Sequence, residues 1–330
     1  MHTDRFSVVG IAKRSKLILT MMFVLIITTH GNSANAQYLL RGDSNTSYSV
    51  ASSGKFMVYT TSVDALHKVY QYDFQNKTVK LLFTTKQYIF SLALIKDNSL
   101  ILFSSCKNEN EPNHVFCYNM KSHKISQITH GSSCDLYPSF NSQDHKIMFI
   151  SSDTTEQLNE GGKIWDNYFI EEINLNGTNR SFITKKPIPF LSNPVSIPNS
   201  NSILICPGDM HTSIAEINSH ISNYKTILKS GNPWDPIPSP DGKTVYFISD
   251  KSHKFDYEIW SMHIDGSDKY QLTHLHSYLQ DLQVSPHGKY LYFRSDKARL
   301  QTYYLMKMNL STGQITELCK PTIFTGKKIK

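Results

Sequence analysis

"SPDGKTVYFISD" (Ser239–Asp250) and "SPHGKYLYFRSD" (Ser285–Asp296) are one pattern written twice, 46 residues apart. Pro holds φ near −65° and Gly accepts positive φ, so each segment opens with a tight turn and runs into a short strand. Taking the residue that closes the apolar run as an anchor, the pattern returns at Tyr59, Phe103, Phe149, Ile205, Phe247 and Phe293, with spacings of 44, 46, 56, 42 and 46 residues. In the fifth unit "DPIPS" leads into the turn and "TVYFIS" follows it; "YEIWSMHI", the turn "DGSD" and "YQLT" complete the unit. Four short β-rich runs per repeat of this length match the arithmetic of a propeller blade. The expected fold class is all-β: a six-bladed β-propeller whose four-stranded antiparallel blades surround a central channel. A single blade cannot bury both of its faces, so the ring has to close.

The units fall at residues 48–84, 89–131, 135–186, 189–231, 233–274 and 277–320, within one propeller spanning 37–320. The third is the longest, and its excess, Thr154–Asn167, reads as a loop between the second and third strands. The fourth keeps the Pro of "IPNSNSILI" but lacks the Gly. Gln37–Arg41 reads as a strand that pairs with the last blade and latches the ring. Residues 321–330, "PTIFTGKKIK", form a basic tail.

Ahead of the propeller, Arg5, Lys13, Arg14 and Lys16 precede the apolar run Leu17–Ile27, and Ala34 and Ala36 flank one residue before Gln37. This order of basic, apolar and small residues reads residues 1–36 as a secretory signal peptide. The apolar run is short of the roughly 20 residues a spanning helix needs. The mature chain is therefore expected to be periplasmic or secreted and not to span the membrane. Removal of this segment lowers the formal charge from +7 to about +4. With export and no arginine-rich stripe, nucleic acid is not an expected partner. The five cysteines leave two readings open. Cys106 and Cys117, on adjacent apolar runs, face each other in a disulfide, or they are buried free thiols. Cys134, Cys206 and Cys319 are scattered.

The unit "SPDGKTVYFISD…YEIWSMHIDGSDKYQLT" resembles the WD40-like PD40 repeat of TolB-type β-propellers, closely in units five and six and recognisably in the others. The resemblance implies a TolB-like six-bladed ring. It says less about function, because related repeats occur in binding proteins, in lyases and in the non-catalytic half of some peptidases. TolB carries an α/β domain ahead of its ring, and only about ten residues separate the expected cleavage from the first blade here, so membership of the Tol–Pal complex is not expected. Oligogalacturonate lyases with related repeats use a histidine-containing metal site, and His274-x-His276 has the spacing of metal ligands on a strand.

No G-x-S-x-G elbow, H-E-x-x-H, phosphate loop or C-x-x-C pair occurs in the chain. Aligning the start of each innermost strand gives Ser47, Ser91, Tyr137, Asn193, Asp235 and Asp281, all polar or hydroxyl-bearing. The next residues, Tyr48, Leu92, Pro138, Pro194, Pro236 and Leu282, are mainly apolar, the alternation of a strand with one face packed and one toward the channel. Channel-mouth candidates for ligand binding are therefore Asp235, Asp281, Asn193 and Tyr137, joined by Trp234 and Tyr278. Asp235 and Asp281, from neighbouring blades, are expected to converge with a cation, a basic side chain or a ligand group between them. The competing reading is that each accepts backbone N–H groups and caps its own blade. No cofactor is expected beyond a channel cation such as calcium, for which Asp235 and Asp281 are the weak candidates. The functional expectation is a protein- or peptide-binding module in the cell envelope, its partner an envelope protein, a peptide or a glycan. The alternative is a carbohydrate-active lyase or hydrolase acting at the central funnel.

Overall fold

The structure is a computed structural model and describes residues 47–63, 66–95, 98–108, 111–141, 145–157, 163–188, 193–207, 213–218, 223–254, 256–296 and 303–319. The expected signal peptide, the expected Gln37–Arg41 latch and the 321–330 tail lie outside the described residues.

Six four-stranded antiparallel sheets form the blades of a ring, and among the described residues there is no helix. Blade 1 is built from Tyr48–Val50, Phe56–Val63, Leu66–Asp73 and Val79–Thr85; blade 2 from Tyr88–Ile95, Leu100–Cys106, His114–Asn119 and Lys124–Gln127. Blade 3 uses Cys134–Asn141, Lys146–Ser152, Phe169–Asn174 and Ser181–Phe182; blade 4 uses Val195–Ser196, Ser202–Ile205, Ile214–Asn218 and Tyr224–Leu228. Trp234–Pro238, Thr244–His253, Asp256–His263 and Tyr270–Gln271 make blade 5, and Tyr278–Val284, Tyr290–Asp296, Tyr304–Asn309 and Ile315–Cys319 make blade 6. First strands of neighbouring blades meet around the channel. We call the end of the ring where they begin the upper face, and the other end the lower face.

The anchors of the repeat all lie on second strands and are at most 2% exposed. Each helps fill one of six apolar layers that alternate with the blades, such as Ile248 and Ile259 of blade 5 against Leu279, Leu291 and Phe293 of blade 6. Burial of each such side chain contributes about 1.5–3 kcal/mol, which is why the repeat keeps an apolar residue there while its surface varies. The turn follows the same logic. Gly242 sits at φ +72°, its N–H donates to Ser239 O at 2.8 Å, and a Cβ there would stand 2.5 Å from the Pro198 carbonyl of blade 4. Blade 4 lacks the glycine and instead holds Asn199 at φ +58°, a conformation Asn tolerates better than most residues.

The Thr that closes the outer run of three units has a structural task. Thr129, Thr184 and Thr273 each accept from a third-strand N–H, of Val115, Ile170 and Ile259, all at 2.9 Å. A buried N–H there would otherwise lose its partner.

Two expectations change. The Thr154–Asn167 excess is not simply a loop, because Thr154–Gln157 and Lys163–Asp166 pair as an antiparallel hairpin above blade 3. Thr155 opposite Trp165 is a β-favouring pair that continues the strands upward. The structure does not join Cys106 and Cys117 in a disulfide. Cys117 lies opposite Leu102, whereas Cys106 is four residues further along that strand and opposite Tyr88, so the register keeps the two sulfurs apart.

The ring closes between blades 6 and 1 through side chains. Tyr48, Met57, Tyr59 and Tyr72 pack with Leu305. Gln283 accepts from Val50 N–H at 3.0 Å and donates to Tyr48 O at 2.9 Å, so one amide satisfies both backbone groups of the neighbouring edge. Gln283→Met is expected to lower stability by about 1 kcal/mol by leaving both groups without it; a urea titration followed by circular dichroism measures this, and an unchanged midpoint rejects the role.

Candidate functional site

The first strands carry bulges where the channel candidates stand. In blades 3, 5 and 6 two residues oppose one anchor: Tyr137 and Pro138, Asp235 and Pro236, Asp281 and Leu282. Tyr137, Asp235 and Asp281 adopt φ of +51°, +45° and +55°. A bulge of this kind re-aims one side chain out of the strand's alternation, and a tyrosine held at positive φ is a strained conformation of the sort that collects at functional sites.

The innermost strands have a free edge toward the channel, and neighbouring blades cover it with side chains. Ser47 Oγ and Ser49 Oγ accept from Leu92 and Leu94 N–H at 3.0 and 3.1 Å, across from blade 1 to blade 2. Asp235 Oδ2 accepts from Asp281 N–H at 2.8 Å, across from blade 5 to blade 6. Asp235 thus caps the next blade's bulge instead of its own blade. Asp281 is bound by the Arg294 guanidinium, so the side chain next to this carboxylate pair is basic. Arg294 is 3% exposed and Asp281 38%, which leaves one carboxylate of the pair open to the channel. Arg294 also donates to Gln280 Oε1 at 3.0 Å, and Gln280 donates to Tyr303 Oη at 3.3 Å.

Burial, then the nearby charge of Asp281, pushes the Asp235 carboxyl up to about 6, against backbone hydrogen bonds and the Arg294 charge that favour the anion. Asp235 is partly exposed, although the protein surrounds it. Burial and the charges of Asp235 and Asp281 push the Tyr137 phenol up to about 12, so blade 3 brings a neutral hydroxyl into range of both carboxylates.

Beside them lies an aromatic cluster. Trp234 stacks on Tyr257 at 4.4 Å between ring centroids, and Tyr278 meets both edge-on at 5.2 Å. Tyr303 follows at 6.4 Å, with the Arg294 guanidinium 5.3 Å from its ring centre. Burial raises the Tyr278 phenol well above its ordinary value, so it stays a neutral donor. Tyr137, Asp235, Asp281, Trp234 and Tyr278 therefore gather at one mouth. Asn193 does not join this hydrogen-bonded group and stands exposed.

Sequence reasoning missed Arg294, Gln280, Tyr257 and Tyr303. One signal was available for Arg294, which occupies the position after the anchor where the fifth unit has Ile248 and the third Ile150. On the same upper face, His276 Nδ1 lies 3.2 Å from Asp256 Oδ2, and the His253 ring is 6.2 Å from that of His276. His274 Nδ1 lies 2.9 Å from Gln271 Nε2. Among the described residues no three His, Cys, Asp or Glu side chains come close enough to hold a metal ion.

Among solved structures the chain is similar to TolB from Acinetobacter baumannii, with 16% identity and a TM-score of 0.60 over 76% of this chain and 59% of that one. The fold is TolB-like. The same TolB-like ring is similar to an oligogalacturonate lyase in complex with manganese, at 13% identity and a TM-score of 0.60 over 82% of this chain and 75% of that one. It is also similar to a puromycin-hydrolyzing peptidase of Mycobacterium tuberculosis, at 11% identity and a TM-score of 0.60 over 86% and 54%. The chain spans little more than half the length of the TolB and peptidase chains. No family model matches the sequence. No curated protein matches it either. Likeness at these identities carries the fold alone.

Proposed function

We propose that this chain is an exported protein- or peptide-binding module of the cell envelope, with the upper channel mouth at blades 5 and 6 as its recognition surface. The observation that carries this reading is the cluster of partly exposed Trp234, Tyr257 and Tyr278, backed by the buried Tyr303 and Arg294 and next to the partly open Asp281. Trp and Tyr are among the residues that dominate binding energy at protein interfaces, and a rigid ring holds them in place without an ordering cost. Export rests on the sequence of residues 1–36.

The test is capture of envelope proteins by residues 37–330, compared with Tyr278→Ala and Trp234→Ala variants. Each is expected to weaken the captured complex about tenfold, with the fold retained by circular dichroism. Capture that is indifferent to both variants removes the mouth from consideration.

A carbohydrate-active enzyme is the second reading, favoured by the likeness to the lyase and by His253, Asp256, His274 and His276 on the same face. Unsaturated products formed from oligogalacturonate, and lost in His276→Ala, would replace the binding reading.

A further inference from the structure

At the lower end of the channel, where blades 6, 1 and 2 meet, a cavity of about 240 Å³ is lined by Ser52, Asn98, Gln283 and Tyr292 over a floor that includes Val50 and Leu94. Among its described lining residues none carries a charge. Tyr292 is only 3% exposed, yet its hydroxyl makes no hydrogen bond to the protein. The residue is buried, but its hydroxyl faces the cavity and is left for whatever occupies it. The backbone leaves room beside that hydroxyl: Gly54 sits at φ +64°, and a Cβ there would stand 3.0 Å from Tyr292 Oη. Burial raises the Tyr292 phenol above its ordinary value, so the group remains a neutral donor. Around it, Asn98 accepts from Ser52 N–H at 2.9 Å and donates to Ser52 Oγ at 2.7 Å, which fixes an amide and a hydroxyl at the rim.

We infer that this cavity is a binding site for a neutral polyol of single-ring size, such as a monosaccharide. Hydroxyls and carboxamides at the wall match alternating hydroxyls on a ligand, and the aliphatic floor matches the C–H face of a sugar ring. A charged ligand would lose its hydration with no counter-charge in return. The volume lies below the ~300–1,000 Å³ of sites for drug-sized molecules, which limits the occupant to one ring. The site is at the opposite end of the channel from the upper mouth and does not rest on the binding reading proposed there.

The test uses residues 37–330 with glucose, N-acetylglucosamine and glucuronate as probes, followed by isothermal titration and by NMR line broadening of the ligand. Saturable binding of a neutral sugar with no binding of glucuronate is expected. Tyr292→Phe, which keeps the ring and removes only the hydroxyl, should weaken it about fivefold, Leu94→Trp should abolish it by filling the floor, and Tyr137→Phe at the upper end should leave it unchanged. The inference is overturned if neither neutral sugar binds, if glucuronate binds as well as they do, or if Tyr292→Phe binds with wild-type affinity.

Discussion

Arg180→Met is expected to destabilise the ring by about 3–5 kcal/mol, the cost of removing one partner from a buried ion network, and to lower the melting temperature by roughly 10 °C. Arg180 donates through Nε to Glu171 Oε2 at 2.7 Å and through NH2 to Asp135 Oδ1 at 2.9 Å, and the same nitrogen reaches Ser133 and Ser151. Asp135 is fully buried and Glu171 nearly so, and the guanidinium stands 5.1 Å from the ring centre of the blade 3 anchor, Phe149. Without Arg180, two carboxylates remain in the blade 2–blade 3 layer with no cation. Burial opposes the charged form of Asp135, but the polar side chains of His114 and Thr129 beside it and the Arg180 charge outweigh it and hold its carboxyl below the ordinary value. A carboxyl depressed in the folded state contributes stability above its unfolded value near 4 and loses that contribution as the pH falls through the folded value. Wild type should therefore lose stability below about pH 4 more steeply than Arg180→Met. Thermal melts from pH 3 to 7 measure both effects. A shift of under 2 °C at pH 7 would show that the network is worth no more than a surface pair.

Asp235→Asn is expected to do the opposite and stabilise the protein by about 2 kcal/mol at neutral pH. The folded carboxyl titrates near 6, raised by burial and by Asp281, whereas unfolded it titrates near 4. Between these values the folded state binds more protons, so stability falls as the pH rises from about 4 to about 6 and stays lower above that. The shift would convert to about 3 kcal/mol, and the partial exposure of Asp235 reduces it. An Asn oxygen still accepts the Asp281 N–H, so only the charge is lost. Melting curves of the two proteins should coincide below pH 4 and separate by several degrees above pH 6. Curves that coincide throughout would mean that Asp235 is not a charge held against stability. A charge kept at that cost is what a recognition site retains and a purely structural cap does not.

The repeat made the propeller legible because each anchor, from Tyr59 to Phe293, must be apolar for its layer to fill, and that requirement recurs every 42 to 56 residues whatever the loops do. The alignment of first-strand starts also brought out Tyr137, Asp235 and Asp281, since a bulge at a fixed place in the repeat leaves a polar residue at a fixed place in the sequence. Asn193 shares that place in the sequence, but the described pairing of its strand begins at Val195 opposite Leu204, and Asn193 stands before it, exposed and outside the hydrogen-bonded group. Cys106 and Cys117 show the limit from the other side, because proximity along a hairpin does not fix register, and a shift of a few residues separates two thiols by many ångströms.

What the sequence determined by itself is what depends on spacing within one unit: strand number, turn type, anchor burial and the sixfold repetition, all local or periodic properties. What only the tertiary structure decided is which units touch and at what angle. That Asp235 spans to the next blade's N–H, that Gln283 closes the ring on Tyr48 and Val50, and that the Tyr292 hydroxyl opens into a cavity where blades 6, 1 and 2 meet all follow from closure. Closure is set by the sum of six apolar layers, and it places the Gln283 side chain within hydrogen-bonding distance of backbone groups more than two hundred residues away, a geometry that no window of the sequence contains.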